Sequence, residues 1–299
     1  MVNKIDKFIK NPKLLWIYIL NSKLLRIVPD KIYLGLKYRT LMNSKLNLNN
    51  PQTFNEKLQW LKINDRKEFY TSLVDKYLVR EYISNRIGSE YLIPLLGVYK
   101  KFEEIDFNVL PDKFVLKPNH TSGDIFICEN KKNIDYSSLK KMVDGWLKKE
   151  YFWIHREWPY KNINPVILCE EYIESNSSYG LIDYKFMCFD GEPKLLFLGL
   201  NRGSEKGLNV DFYDFDWNKL PFERYYPSSN DEVSKPENLD RMIALARTLS
   251  KGMKFVRVDF YEVNGKVLFG ELTFYPGSGF EYFTPSSYDY LLGSYISLY

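Results

Sequence analysis

The stretch from Phe255 to Phe274 constrains this chain more than any other. Two strand-length apolar runs flank Asn264-Gly265. Asn-Gly supplies the positive φ that a tight hairpin turn requires, so the two runs are read as antiparallel neighbours. The first carries Arg257-Val258-Asp259 and the second Gly270-Glu271-Leu272-Thr273. Side chains alternate along a strand, so Arg257 and Asp259 share a face of theirs, as Glu271 and Thr273 do of theirs. Gathered carboxylates are costly unless something cationic compensates them. Mg²⁺ is a natural partner, because it takes oxygen ligands and leaves positions for phosphate oxygens. A surface salt-bridge cluster around Arg257 is the other reading of the same residues.

Two earlier segments carry related chemistry. Phe114-Val115-Leu116-Lys117 reads as a strand entering the polar turn Pro118 to Asp124, with Ile125 to Cys128 returning as its partner. A lysine beside the small-residue loop His120-Thr121-Ser122-Gly123 suits an anion, since free backbone N–H groups and an ammonium converge there. Gly-Lys-Ser/Thr is absent, so this is not a Walker A loop, and an ordinary hairpin tip explains the segment equally. Ile167 to Ile173 is a strand that ends in Glu170-Glu171-Tyr172-Ile173. An acid followed by exposed backbone can accept from an adenine amine and donate to its ring. Solvated acids closing a strand are the alternative.

Around these segments the chain alternates helices and hairpins. Residues 1–64 are expected to be mostly helical, with a Thr53-to-Glu56 capping box opening one helix after Asn50-Pro51. One helix is predicted from about Phe69 to Ile87, another over Ser137 to Lys149, and a third over 237–251. Asp190-Gly191 marks a second hairpin, Tyr184–Phe189 with Lys194–Leu200. The apolar run at 14–20, with Lys13, Lys23, Arg26, Lys31 and Lys37 around it, is read first as a buried helix pair. Its second reading is a basic amphipathic segment resting on anionic membrane.

Composition narrows the class of protein. A net charge of +4 over 299 residues is too small for a nucleic-acid footprint. The cysteines Cys128, Cys169 and Cys188 each sit in or beside an apolar run without metal-ligand spacing. They are expected to be buried thiols of a reducing compartment. His120 and His155 are too few for a histidine metal site. The run at 14–20 is far shorter than a spanning helix of ~20 residues. A cytoplasmic protein follows as the expectation, with peripheral contact at the inner face of the plasma membrane as its extension.

In chain order these segments resemble the ATP-grasp ligases. Asp75-Lys76 with Arg80 resembles the Asp-Lys step before the central domain. Phe114 to Pro118 with His120 to Gly123 resembles the strand lysine and mobile phosphate loop. Glu170 to Ile173 resembles the adenine hinge, and Asp183-Tyr184-Lys185-Phe186 the segment with a ribose-binding acid and a phosphate contact. Arg257-Val258-Asp259 with Glu271-Leu272-Thr273 resembles the Arg-x-Asp … Glu-x-Asn metal site of the D-alanine–D-alanine ligase group, with Thr273 in place of Asn. The closer resemblance is to the TupA-like branch, named after teichuronopeptide biosynthesis. It rests on Thr53 to Trp60, Arg156 to Lys161 and Gly270 to Gly279.

The resemblance implies an α+β ATP-grasp fold, two subdomains clasping ATP beneath a helical N-terminal region. The expected divisions are 1–64 helical, 65–112 an N-terminal α/β portion, 113–180 the small subdomain and 181–299 the large one. ATP and Mg²⁺ are the implied cofactors. Lys76, Lys117, His120, Ser122, Gly123, Glu170, Glu171, Tyr172, Ile173, Asp183 and Lys185 would bind the nucleotide. Asp259, Glu271 and Thr273 would hold metal, while Arg257 and Lys117 would serve the reaction. His155, Arg156 and Trp158 are candidate acceptor-site residues. The implied activity is a carboxylate–amine ligase working through an acyl phosphate on small-molecule or glycan-precursor substrates. A polysaccharide-pathway glycosyltransferase and a silent ATP-binding protein remain alternatives. Nothing in the sequence indicates oligomeric state.

Overall fold

The computed structural model describes residues 12–175, 179–201 and 207–298, with side chains from residue 16. Lys13, Leu14 and Leu15 therefore contribute no side-chain observations. The N-terminal region is helical: α1 (Pro12–Leu20), α2 (Asp30–Met42) and α3 (Phe54–Asn64). The capping box at the start of α3 is formed, with Thr53 accepting from the Glu56 N–H and Glu56 reaching back to the Thr53 N–H. One correction concerns the helix expected over 69–87. It is two helices, α4 (Phe69–Val74) and α5 (Val79–Arg86). Asp75 causes the break. Its carboxylate accepts from the Tyr77 and Leu78 N–H groups at 2.8 and 3.1 Å, which restarts the chain as a new helix end.

The first sheet has four antiparallel strands in the order β1-β4-β2-β3: β1 (Leu95–Tyr99), β2 (Phe114–Pro118), β3 (Phe126–Cys128) and β4 (Ile167–Glu171). Helix α6 (Tyr136–Leu147) covers one face. Asp135 caps it, and Leu139, Val143 and Trp146, spaced for one helical stripe, pack on Phe114, Leu116, Ile167 and Cys169. Alternation along β2 then leaves Val115 and Lys117 on the uncovered face. A four-residue helix, α7 (Phe152–His155), follows in the connection to β4.

The second sheet has the order β10-β9-β5-β6-β7: β5 (Asp183–Phe189), β6 (Glu192–Leu200), β7 (Asn209–Tyr213), β9 (Phe255–Val263) and β10 (Lys266–Thr273). Helix α8 (Leu239–Ser250) buries Leu239, Met242, Leu245, Ala246 and Leu249 against one face. A small sheet pairs β8 (Glu223–Arg224) with β11 (Phe283–Thr284), and α9 (Ser287–Ser294) follows. The Asn264-Gly265 turn has φ of 51° and 72°, the left-handed pair that the sequence demands.

The β9–β10 register holds the most consequential local feature. From the turn, residues pair regularly as far as Phe269 with Phe260; the next pair is Leu272 with Val258. Gly270 and Glu271 thus oppose the single residue Asp259, which is a β-bulge. Without the extra residue, Glu271 would face the apolar side with Val258, because a one-residue slip inverts a strand. The bulge instead pairs Thr273 with Arg257. Glycine fits at 270 without strain, whereas a Cβ there would stand 3.2 Å from the Asp259 carbonyl oxygen, a tight contact.

The N-terminal helices divide between core and surface. Leu20, Tyr33, Leu34, Tyr38 and Met42 pack with Phe280. Lys37 lies in this core, its ammonium donating to Asn21 Oδ1, the Tyr33 hydroxyl and the Ile154 carbonyl. In contrast, Trp16, Leu24 and Ile27 are 59, 83 and 90% exposed.

Candidate active site

The cleft between the two sheets is lined from both sides. Val115 and Lys117 of β2 and Glu170 and Glu171 of β4 contribute one wall, Tyr172, Ile173 and Leu181 the connection, and Tyr261 of β9 the opposite wall. The cavity measures about 280 Å³. Ile93, Val115, Ile127, Ile173 and Leu181 give it apolar surface suited to a flat ring, with charge at one end. The Glu171 N–H is held by the Pro94 carbonyl at 3.0 Å.

Glu170 is the hub of the first wall. It is 5% exposed, with Lys117 Nζ at 2.6 Å and Arg80 Nη1 at 3.6 Å. Burial of this carboxylate is tolerable because both cations face it. Lys76 enters from the segment after α4, and its Nζ donates to the Thr121 carbonyl. Burial holds the Lys76 ammonium below the ordinary lysine range, and Lys117 adds to this, whereas Glu271, Glu170 and Asp75 oppose it. Lys76 therefore senses carboxylates of both sheets.

The base of the loop after β2 is wired to that lysine. Asn119 donates to Asp75 Oδ2 at 2.8 Å and to the Asn164 carbonyl at 3.0 Å, and accepts from the Val166 N–H at 2.9 Å. His120 is buried, with Nδ1 3.2 Å from Asn119 Oδ1 and Nε2 3.2 Å from the Lys149 carbonyl. Burial lowers its pKa. Both ring nitrogens thus face protein groups, and His120 anchors the loop base. Ser122 and Gly123 are exposed at the tip, Gly123 with a φ of +81°.

The second wall is a buried ionic lattice. Arg257 donates from Nε and Nη2 to the two oxygens of Asp259, each at 2.6 Å, and from Nη2 to Glu271 Oε1 at 2.7 Å. Lys185 lies 2.6 Å from Asp259 Oδ2 and bonds Asp183 as well. Thr273 donates to Glu271 Oε1 at 2.9 Å. Asp259 is fully buried, so the reading of these residues as a surface cluster is overturned. Burial pushes the Glu271 pKa up, but Arg257, Lys76 and Lys185 together outweigh it and bring it to about 2. The same carboxylates raise Arg257 despite its burial. Asp183 is raised, first by burial and then by Asp259. Its Oδ1 is buried with no hydrogen-bond partner among the described residues.

The register brings Lys185 opposite Asp259 and Asp183 opposite Tyr261, so β5 and β9 present these side chains on one face. Sequence reasoning did not single out Tyr261, whose hydroxyl is held far above its usual pKa chiefly by Asp183 and by burial. Arg80 was noted only as part of a motif; its approach to Glu170 depends on the α4–α5 break. Of the candidate acceptor residues, Arg156 and His155 pack against the N-terminal region and Phe280. Arg156 is 2% exposed, bonds Asp30 and the Leu25 carbonyl, and stacks on Tyr33 and Trp153. It fastens the N-terminal helices to the body. His155 packs on Phe280, and Trp158 is half-buried.

Two carboxylates on a wall shared with lysines and an arginine suit hard-cation and phosphate chemistry. Mg²⁺ takes one or two protein carboxylates and fills its remaining positions from phosphates and water. Asp259 and Glu271 are the candidates for that role, though both Asp259 oxygens accept from Arg257 and Lys185 here, and the unpartnered buried Asp183 oxygen is a further candidate donor. Among the described residues no group of three His, Cys, Asp or Glu side chains is arranged to enclose a metal by itself.

Among curated protein sequences none matches this chain. It is similar in structure to a D-alanine–D-alanine ligase from Bacillus anthracis complexed with ATP, at 17% identity and a TM-score of 0.40 over 67% of this chain and 54% of that one. It is also similar to the ATP-grasp ligase PsnB complexed with minimal precursor, Mg and ADP, at 11% identity and 0.40 over 84% and 64%. A third is the D-cycloserine synthetase DcsG, at 15% and 0.38 over 82% and 70%. The chain thus spans little more than half the length of the first of these. The assignment rests instead on the sequence, in which a family pattern matches residues 56–297 and so takes in α3, both sheets and α9. The chain belongs to the TupA-like ATPgrasp family, within the ATP-grasp superfamily.

Proposed function

We propose that the protein is an ATP-dependent carboxylate–amine ligase that binds ATP with Mg²⁺ between its two sheets. The observation that carries this reading is the pairing of Lys117 with Glu170 in the wall of an apolar cleft, and of Lys185 and Arg257 with Asp183, Asp259 and Glu271 on the facing sheet, with Lys76 acting on carboxylates of both. Val115, Ile127 and Ile173 would sandwich the adenine, and the backbone after Glu171 would read its edge. Lys76 and Lys117 would neutralise the phosphates, with Ser122 and Gly123 closing over them. Asp259 and Glu271 would hold Mg²⁺, with the Thr273 hydroxyl orienting Glu271. The metal would supply charge neutralisation on the phosphates.

In this reaction class a carboxylate takes the terminal phosphoryl group and an amine then displaces phosphate. Arg257 would stabilise negative charge developing there, and its two hydrogen bonds to Asp259 would limit the reorganisation needed. No protein nucleophile is required. The substrates are a carboxylate and an amine, one of them a cell-surface polysaccharide precursor or an amino acid destined for it. Support for that precursor is the TupA-like family alone. We place the protein in the cytoplasm, touching the inner face of the membrane through Trp16, Leu24 and Ile27 with Lys23 beside them. Among the described residues no helix is long and apolar enough to cross a membrane.

Calorimetry with ATP and Mg²⁺ tests the nucleotide half. Saturable binding that requires Mg²⁺ is the expected result, and no binding with or without the metal refutes the reading.

A further inference from the structure

One buried cation on the same face of the large sheet has no role in the scheme above. Adjacent strands place Asp259, Lys185, Phe197 and Phe212 opposite one another across β9, β5, β6 and β7, so all four share the site face. Arg224 of β8 lies over the far end of this row. Its guanidinium carbon is 4.6 Å from the Phe197 ring centre and 5.8 Å from that of Phe212. The guanidinium of Arg257 is 5.7 Å from the same Phe197 ring. One aromatic ring therefore lies beside two guanidinium groups.

Arg224 is 7% exposed and poorly satisfied. Its Nε approaches Glu281 Oε2 at 2.9 Å, but the contact lacks hydrogen-bond alignment. Nε, Nη1 and that Glu281 oxygen all stand without a hydrogen-bond partner among the described residues. Buried donors left unpaired are costly, and arginine's fork matches a carboxylate. The next residue, Tyr225, has a φ of +62°, an unusual conformation for a non-glycine residue and one often found at ligand sites. Arg257 uses Nε and Nη2 on Asp259 and Glu271, which leaves Nη1 for a ligand.

We propose that Arg224 and Arg257 together bind a carboxylate of the acid substrate across the Phe197 ring. The inference rests on the ligase reading and extends it, because it assigns the acid an anchoring point over β6, away from the nucleotide cavity. Glu281 then acts as a stand-in that holds Arg224 in place before the acid arrives.

The test uses full-length protein labelled with [¹⁵N]arginine, titrated with D-glucuronate and with L-glutamate against a chloride control of equal ionic strength. The wild type should show a saturable shift of the Arg224 Nε–H signal with at least one acid. R224Q should weaken that acid at least tenfold, with R224K as the variant to use if R224Q does not fold. E281Q should bind it as well as the wild type or better, since Arg224 is then released. A wild type that binds neither acid overturns the assignment. So does R224Q with unchanged affinity, or R224Q and E281Q losing affinity equally, which is the behaviour of a merely structural ion pair. A parallel ATP·Mg²⁺ titration separates the two levels: binding of nucleotide without either acid removes only the Arg224 site, whereas binding of acid without nucleotide removes the ATP reading.

Discussion

Replacing Lys117 by Met separates a structural role from a binding one. Lys117 Nζ lies 2.6 Å from Glu170, which is 5% exposed; among the described residues its other ion-pair partner is Arg80, at 3.6 Å, with Lys76 acting on it from farther off. Removing one partner of a buried pair costs about 3–5 kcal/mol, because the other charge is stranded. Arg80 retains part of the compensation, so a loss of about 2–3 kcal/mol is expected for Lys117→Met. ATP loses a charge-assisted contact of about 1.5–3 kcal/mol in the same variant, roughly a 10- to 100-fold weaker affinity. Adding Glu170→Gln removes the stranded charge. Urea unfolding of the double variant should return to within about 1 kcal/mol of the wild type. Calorimetry should find ATP still weakened. If ATP affinity recovers together with stability, Lys117 serves the fold and its assignment to phosphate is wrong.

Four further outcomes are expected. Glu271→Gln should abolish nucleotide turnover while the protein stays folded, since glutamine keeps the shape and removes the charge that Mg²⁺ needs; wild-type turnover would remove Glu271 from the metal site. The folded Glu271 pKa of about 2 lies below its ordinary 4.5, so its stabilisation is present above pH 4.5 and lost as pH falls toward 2. With the side chain 33% exposed, screening limits this to about 1–3 kcal/mol, and acid unfolding of wild type and Glu271→Gln should converge over that window. His120 should titrate below the ordinary histidine range by NMR, so unfolding gains protons and stability falls as pH drops below about 6.5; a raised midpoint would contradict its burial. Anionic vesicles should sediment the protein at low salt, and Leu24→Asp with Ile27→Asp should release it; equal sedimentation of both forms would discard the membrane contact. Point variants are used because α2 packs Tyr33, Leu34 and Tyr38 into the core, so deletion of residues 1–45 would damage the fold itself.

Much of the site was legible in the sequence because its signals are local. Asn264-Gly265 and Asp190-Gly191 specify turns by φ, and both hairpins form. Thr53 with Glu56 specifies a helix start, and the capping box is present. What alternation could not supply is the face that Glu271 occupies. A bulge of one residue decides that, and its only local trace is Gly270. The break at Asp75 was hidden by apolar residues whose spacing continues across it. Strands β7, β8 and β11 are short and depend on long-range pairing, so the sequence offered little to mark them, and with them went Arg224. Lys37 was read only as one of the basic residues around the apolar run, and Arg156 as a candidate acceptor-site residue. Their environments are instead made by carbonyl groups, aromatic rings and Asp30 from distant segments.

The most direct test of an acyl-phosphate ligase follows an oxygen atom. The enzyme is incubated with ATP, Mg²⁺, a panel of ¹⁸O-carboxyl-labelled amino acids and uronic acids, and candidate amines, and the released phosphate is analysed by mass. A carboxylate that attacks the terminal phosphoryl group leaves one of its oxygens on phosphate when an amine displaces it. The account predicts amine-dependent phosphate carrying one ¹⁸O from the acid consumed. Phosphate that is released without label, or ATP left intact across the panel while a sugar nucleotide supplied in a parallel incubation is consumed, would contradict it.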